Sequence, residues 1–370
     1  MLRLLSFQPV SLYQNGGASR VLRRLYDGRE AQVISIGVKE NNNYILAGPM
    51  AETIVTAYPV QRSWMRWKVR NLFIWLREKA MAGYTRNRIR QIASQNKFDA
   101  VHVICHGSYV MAVYDKQLLN GKQLWVSFHD HFAAAGTGFD NTKTLWTNAN
   151  RRLVISAQMG LEYQRLFGSM PYEIITDGLL PGELSDVKEI DPLTPLTIYF
   201  SGLLHNEYHP LFMVLAQALD VLAGRGITVK LIMRGTQKVS FLNERAFATE
   251  YRNDFISDEA IKKEMDAASI LYLPIKYNDP DFYLYSLSTK MVGYLGAPGS
   301  MLYHGPADSA ACLMLKEAGA AVDCTSLDAV DMLACLDELM SNKRKVSVRA
   351  KLLAKEKFNM LVIKKQFWQD

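Results

Sequence analysis

Cysteine is scarce and unpatterned in this sequence. The four residues, Cys105, Cys312, Cys324 and Cys335, form no CxxC or other metal-ligand spacing. That excludes a disulfide framework or a zinc module as the organising principle, and cytosolic free thiols are the expectation. No apolar run reaches the roughly 18 residues that a bilayer crossing requires. Repeats and low-complexity tracts are missing too, and the dinucleotide fingerprint GxGxxG does not occur at the first strand. Met1 leads directly into a strand-like run, so no signal peptide is expected. What is present is apolar bulk: 49% of 370 residues are hydrophobic. This excludes long disorder and suits two domains, each with its own core.

The apolar residues come in short, nearly continuous runs of the kind that fill parallel sheets buried on both faces. Residues 2–8, 33–36, 53–55, 98–104, 124–128 and 153–157 read as strands, with a helix through Val110 and another over 158–167 closed by Gly168. Residues 179–195, rich in Pro, Gly and acids, read as a linker. A second series follows at 196–202, 229–233 and 270–274, with a long helix through Leu222 and another beginning near Asp258. Helical spacing returns over 330–340 and again from Ala350 to Trp368. The expectation is an α/β protein of two Rossmann-like domains: residues 1–180, residues 196–345, and a C-terminal helix over 346–370 crossing back to the first.

Residues 61–90 have the most unusual composition. They hold nine Lys or Arg against one acid, Glu78, so their excess of eight exceeds the net charge of +7 for the whole chain. At about 100° per residue, Met65, Val69, Leu72, Phe73 and Leu76 share an arc flanked by Arg66, Arg70 and Arg77. Trp64, Trp67 and Trp75 add amphipathic rings. The pattern suits a helix lying on an anionic membrane surface. A surface helix packed on the sheet with solvated charges is the plainer alternative. No nucleic-acid motif accompanies the patch, so nucleic acid is not an expected partner.

The most specific stretch is 270–306. A buried strand ends at Pro274, a polar loop follows, and Ser288-Thr289-Lys290 opens a helix that Gly296-Ala297-Pro298-Gly299 stops. Hydroxyls and a lysine at an exposed helix start, beyond a strand's carboxyl end, favour an anion. A helix capped by Ser288 with a solvated lysine is the alternative. The run Ser-Thr-Lys-x-x-x-Tyr-Leu-Gly-x-Pro-Gly resembles the nucleotide-sugar signature of GT-B glycosyltransferases. The family usually has glutamates where this chain has Gly293 and Tyr285, a departure that resembles divergent bacterial exopolysaccharide enzymes such as the xanthan glucuronosyltransferase.

The resemblance implies two domains facing a cleft, with the donor diphosphate on Ser288, Thr289 and Lys290. It places Gly202, His205, Arg234 and Ile256 on the donor side and the glycine pair Gly16-Gly17 on the loop after the first strand. His205 and His209 stand where retaining relatives carry an arginine and a lysine; surface histidines without a role are equally compatible. At the end of the 124–128 strand, His129-Asp130-His131 invites a metal, yet alternation along an extended chain points neighbours apart. The resemblance instead implies Asp130 as catalytic base, with His129 as competitor; a helix N-cap is the structural alternative. Together these readings imply a cytoplasmic glycosyltransferase at the inner face of the plasma membrane. It would move a sugar from a nucleoside diphosphate to a lipid-linked or saccharide acceptor, with no cofactor and no metal. A sugar epimerase of the same architecture and a non-catalytic sugar- or lipid-binding module are the alternatives.

Overall fold

The computed structural model describes residues 2–14, 16–39, 48–56, 82–107, 109–187, 195–254 and 256–370. Trp64, Arg66, Trp67, Arg70, Trp75 and Arg77 lie outside the described residues; of the basic segment, only its end enters a described helix over 82–94. The chain forms two compact units, Met1–Thr176 with Lys364–Asp370, and Asp177–Ile363.

The first unit is built on a seven-stranded sheet, ordered β3-β2-β1-β4-β5-β6-β7, whose pairings are all parallel. Its strands are β1 (Leu4–Gln8), β2 (Val33–Lys39), β3 (Glu52–Thr56), β4 (Ala100–Ile104), β5 (Gln123–Phe128), β6 (Arg151–Val154) and β7 (Glu173–Ile174). β1 and β4 are buried at every position, as continuous apolar runs predict. The sequence order reverses between β1 and β4, so the loops leaving their carboxyl ends diverge and open a crevice there. His102, in mid-strand, is a satisfied core histidine between the Tyr26 hydroxyl (2.6 Å) and Ser127 Oγ (2.7 Å). Residues 364–370 complete this unit. Trp368 Nε1 donates to the Leu25 carbonyl at 2.8 Å, and Arg151 donates to the Phe367 carbonyl while forking onto Glu173.

The second unit repeats the plan in a six-stranded parallel sheet, ordered β10-β9-β8-β11-β12-β13. These strands are β8 (Leu196–Ser201), β9 (Val229–Arg234), β10 (Ala248–Arg252), β11 (Ile270–Pro274), β12 (Ser300–His304) and β13 (Val322–Cys324). Alternation sorts their side chains onto two cores. Ile198, Phe200, Ile270 and Tyr272 pack with the helix His209–Gly224; Tyr199, Leu271 and Leu273 pack with the helix Thr289–Gly296. The reversal here falls between β8 and β11.

Several expectations shift. The helix expected through Val110 is only a 3₁₀ turn, Val110–Ala112. β10, β13 and the helices Phe139–Asn148 and Ala310–Ala318 were not read from the sequence. The two C-terminal helical stretches are one 29-residue helix, Ala329–Lys357, followed by a second, Met360–Trp368. The expected start at residue 346 therefore falls inside a continuous helix, and the residues that join the first unit begin at Lys364.

Candidate functional site

In the second unit, β8 and the helix Thr289–Gly296 create one corner at the switch point. Ser288 caps that helix, its Oγ accepting from Lys290 N at 3.2 Å. The helix is pinned along its length. Ser201 N, at the end of β8, donates to the Tyr294 hydroxyl at 3.0 Å. Lys351 Nζ donates to the carbonyls of Leu295 (3.1 Å) and Ala297, the last acceptors of the helix. Gly202 follows with φ +137°, a conformation that favours glycine, and the Lys290 Nζ lies 3.0 Å from where a Cβ would stand. A side chain there would push the lysine aside.

The corner thus brings together Gly202, Ser288, Thr289 and Lys290, four of the residues read as donor-binding. Lys290 differs from expectation in one respect: it is half-buried rather than exposed. Its ammonium sits 4.0 Å above the centre of the Phe200 ring. Burial pushes its pKa down to about 7. Among the described residues it forms no ion pair, so only the face of the Phe200 ring offsets the lost water. A positive group without a counter-charge, beside the first turn of a helix, is chemically suited to an anion.

Arg234, expected on the donor side, is held by acidic residues of its own unit. It ends β9, is 6% exposed, and each of its three guanidinium nitrogens donates to an acidic residue. Nε donates to Glu264 Oε2 at 2.9 Å and Nη2 to the other oxygen, while Nη1 holds the carbonyl and carboxylate of Asp254. Glu264 also accepts from Tyr199 (3.0 Å) and pairs with Arg252. Burial acts to raise the Glu264 pKa, but these bonds outweigh it and hold the carboxyl below its usual range. Arg234 is therefore a brace that ties Asp254 and Glu264 to β9, and not a hand held out to phosphate; Ile256 is half-buried. His205 is exposed at the start of a 3₁₀ turn, and no hydrogen bond or ion pair among the described residues joins it to Lys290. His209 starts its helix with the ring edge-on to Phe241. Gly293, where the family pattern has glutamate, is buried.

In the first unit, the carboxyl ends of β4 and β5 hold His106, His129 and Asp130. Gly107 N donates to the Ala135 carbonyl at 2.9 Å, tying the loop after β4 to the short helix Phe132–Ala135 beyond β5. Burial pushes His129 well down; Asp130 opposes that shift and His106 adds to it, so the three groups share one electrostatic environment. β5 ends at Phe128, so strand alternation does not govern residues 129–131. His129 and Asp130 are both part-exposed, whereas His131 is buried against Phe132 and Tyr163. The N-cap of the short helix is His131, which leaves the capping alternative for Asp130 without support. Among the described residues no cluster of three or more His, Cys, Asp or Glu is arranged to hold a metal.

Gly16 and Gly17 open the helix Gly17–Tyr26, whose N-terminus no side chain caps. Sequence reading missed what holds the loop before them. Glu52 on β3 accepts from Leu12 N (2.8 Å), Ser11 Oγ, Gln8 Nε2 (3.0 Å) and Ser35 Oγ (3.1 Å). A carboxylate 40 residues away in sequence gives no local signal of this kind.

No protein-family pattern matches this chain, and no curated protein sequence does. Solved structures do match. Anabaena HepE in complex with UDP and glucose superposes with a TM-score of 0.68 at 10% identity, over 100% of this chain and 99% of that one. Sucrose-phosphate synthase from Thermosynechococcus elongatus gives 0.71 at 14% identity, over 99% and 98%. An E. coli structure named for trehalose-6-phosphate and bound with UDP-2-fluoro glucose gives 0.66 at 10%, over 100% and 98%. At such identities the likeness establishes the fold: α/β, of the GT-B type.

Proposed function

We propose that this protein is a glycosyltransferase that binds a nucleoside-diphosphate sugar at the Lys290 corner and passes the sugar to an acceptor hydroxyl. The observation that carries the reading is the half-buried Lys290 ammonium, without an ion-pair partner among the described residues and beside the first turn of the helix Thr289–Gly296. A diphosphate would supply the missing counter-charge, and Ser288, Thr289 and Gly202 line its approach. Similar folds bound to UDP or a UDP-sugar support the same donor class. The buried glycine at 293 leaves ribose recognition to other groups.

Asp130 is the proposed base. An acceptor hydroxyl is a poor nucleophile until its proton leaves, and a part-exposed carboxylate at a strand end can take it. His129 is the weaker candidate, since burial disfavours its protonated form. One base suffices for direct displacement, so inversion at the anomeric carbon is the expected stereochemistry. The acceptor we favour is a lipid-linked saccharide at the cytoplasmic membrane face, with residues 61–90 as the lipid contact; composition alone supports that part.

The test is incubation of purified protein with UDP- and GDP-sugars, with and without lipid-linked acceptor. Acceptor-dependent product of inverted configuration is expected. Product formed without acceptor would replace the reading with an epimerase. Nucleotide binding without turnover on any acceptor would leave a binding module. Asp130→Asn should lower kcat by about 10²–10⁴-fold with donor affinity intact; near-normal turnover would remove Asp130 from the role.

A further inference from the structure

The 29-residue helix Ala329–Lys357 is divided by charge. Residues 329–340 contain Asp331, Asp337 and Glu338 and no Lys or Arg; residues 341–357 contain seven Lys or Arg and one acid, Glu356. The acidic half is partly neutralised within the fold, Asp337 pairing with Arg225 at 2.9 Å. The basic half has a buried side, where Val346, Ala350, Leu353 and Ala354 enter the two cores and Lys351 holds the helix Thr289–Gly296. Its other side is exposed.

On that exposed side Val348 (42% exposed) and Leu352 (51%) stand four residues apart, at the middle of the arc. At about 100° per residue, Lys345 and Arg349 flank them on one edge and Lys355 on the other. All three cations are exposed. An apolar centre between basic edges is the pattern of a helix that lies in a lipid headgroup layer. Nucleic acid fits it less well, because residues 341–357 contain no aromatic side chain for a base to stack on and would set leucine against phosphate. We infer that the exposed face of residues 345–355 docks on an anionic phospholipid surface, as a contact on the second unit separate from residues 61–90. Exposure and charge of this helix carry it, independently of the sugar-transfer reading.

The experiment uses the full chain and vesicles of phosphatidylcholine with or without phosphatidylglycerol. Sedimentation with the anionic vesicles only, weakened by high salt, is expected. Two variants isolate this face: Lys345→Glu/Arg349→Glu/Lys355→Glu, and Val348→Ser/Leu352→Ser, neither of which alters a buried residue. The charge reversal should lower partitioning roughly tenfold or more, and the serine pair should lower what remains bound at high salt. Donor-nucleotide affinity and thermal unfolding of both variants should match the parent, which separates this result from failure of the proposed function. Absence of vesicle binding by the parent, variants that bind as the parent does, or loss of binding only on Arg66→Glu/Arg70→Glu/Arg77→Glu would each overturn it. So would displacement from vesicles by single-stranded RNA at equal charge concentration.

Discussion

Two cations stand at the carboxyl edge of the second unit, and nothing in the sequence beside either distinguishes their roles. Arg234 lies between two carboxylates, with all three of its guanidinium nitrogens hydrogen-bonded; Lys290 has only an aromatic face and a glycine beside it. On the proposed function, the difference separates scaffold from site. A buried charge that its own fold has neutralised has no remaining affinity to offer, whereas one left without a counter-ion makes the unliganded state costly and a bound anion favourable. Position in the sheet is therefore insufficient to assign a ligand-binding role, and the partners decide.

The comparison breaks most readily at Arg234. Arg234→Met removes the principal partner of Glu264 while Tyr199 and Arg252 remain, so the loss should reach up to about 3 kcal/mol. Chemical denaturation should show that loss in the transition of the second unit. A stability within about 1 kcal/mol of the parent would mean that the brace is dispensable.

Lys290→Met should behave in the opposite way. Donor affinity should weaken roughly ten- to a hundredfold, the loss of a charge-assisted bond worth about 1.5–3 kcal/mol. The unliganded protein should be no less stable, because an uncompensated ammonium has been removed. Calorimetry and thermal unfolding read the two effects separately, and a variant that unfolds early while binding normally would reverse the two roles.

pH sharpens the contrast further. Burial holds the free Lys290 near 7, and a bound diphosphate must raise that value. Below about pH 7 the lysine is already charged and donor affinity should be flat. Above it, each binding event takes up a proton, and affinity should fall by up to about tenfold per pH unit until the pKa of the complex is passed. The folded pKa lies below the unfolded value, so this lysine's contribution to stability rises with pH across that interval. Calorimetry near pH 8 in buffers of different ionisation enthalpy counts the proton; Lys290→Arg, always charged, should abolish the uptake. An uptake unchanged in that variant would assign the proton elsewhere.

The smallest effect is expected at Tyr294. Tyr294→Phe removes the acceptor of Ser201 N and should cost about 1 kcal/mol of stability, with a modest rise in donor Kd as the corner loosens. A rise as large as that of Lys290→Met would promote the tyrosine to a direct contact.

The legible parts of this protein were those whose physics is local. β1, β4, β5, β8, β9 and β11 stand out as short apolar runs because both sheet faces are covered. The helix start at Ser288-Thr289-Lys290 shows because caps and stops are written in adjacent residues. β10, Ala-Thr-Glu-Tyr-Arg, is a half-buried edge strand and lacks the apolar signal; β13 has only three residues. The helix Phe139–Asn148 draws on Asp, Asn and Thr, poor helix formers that packing of Leu145 and Trp146 overrides. In the long C-terminal helix the polar run Ser341–Lys345 hid the continuity. At the site, the lysine was visible but its burial was not, since Phe200 and Gly202 come from far upstream. Arg234 resembled a phosphate ligand because Glu264, 30 residues on, carries no mark of pairing with it.

Lys351 gives the Lys290 corner a thermodynamic property of its own. An ammonium bound to the last carbonyls of the helix Thr289–Gly296, with a serine at its first turn and a tyrosine bond at its middle, leaves that helix little freedom to lose. The ordering entropy is settled when the chain folds, not when a ligand arrives. Recognition at this corner should therefore carry a small conformational entropy change, with differences among ligands arising from how long each stays and not from how the helix rearranges to admit it.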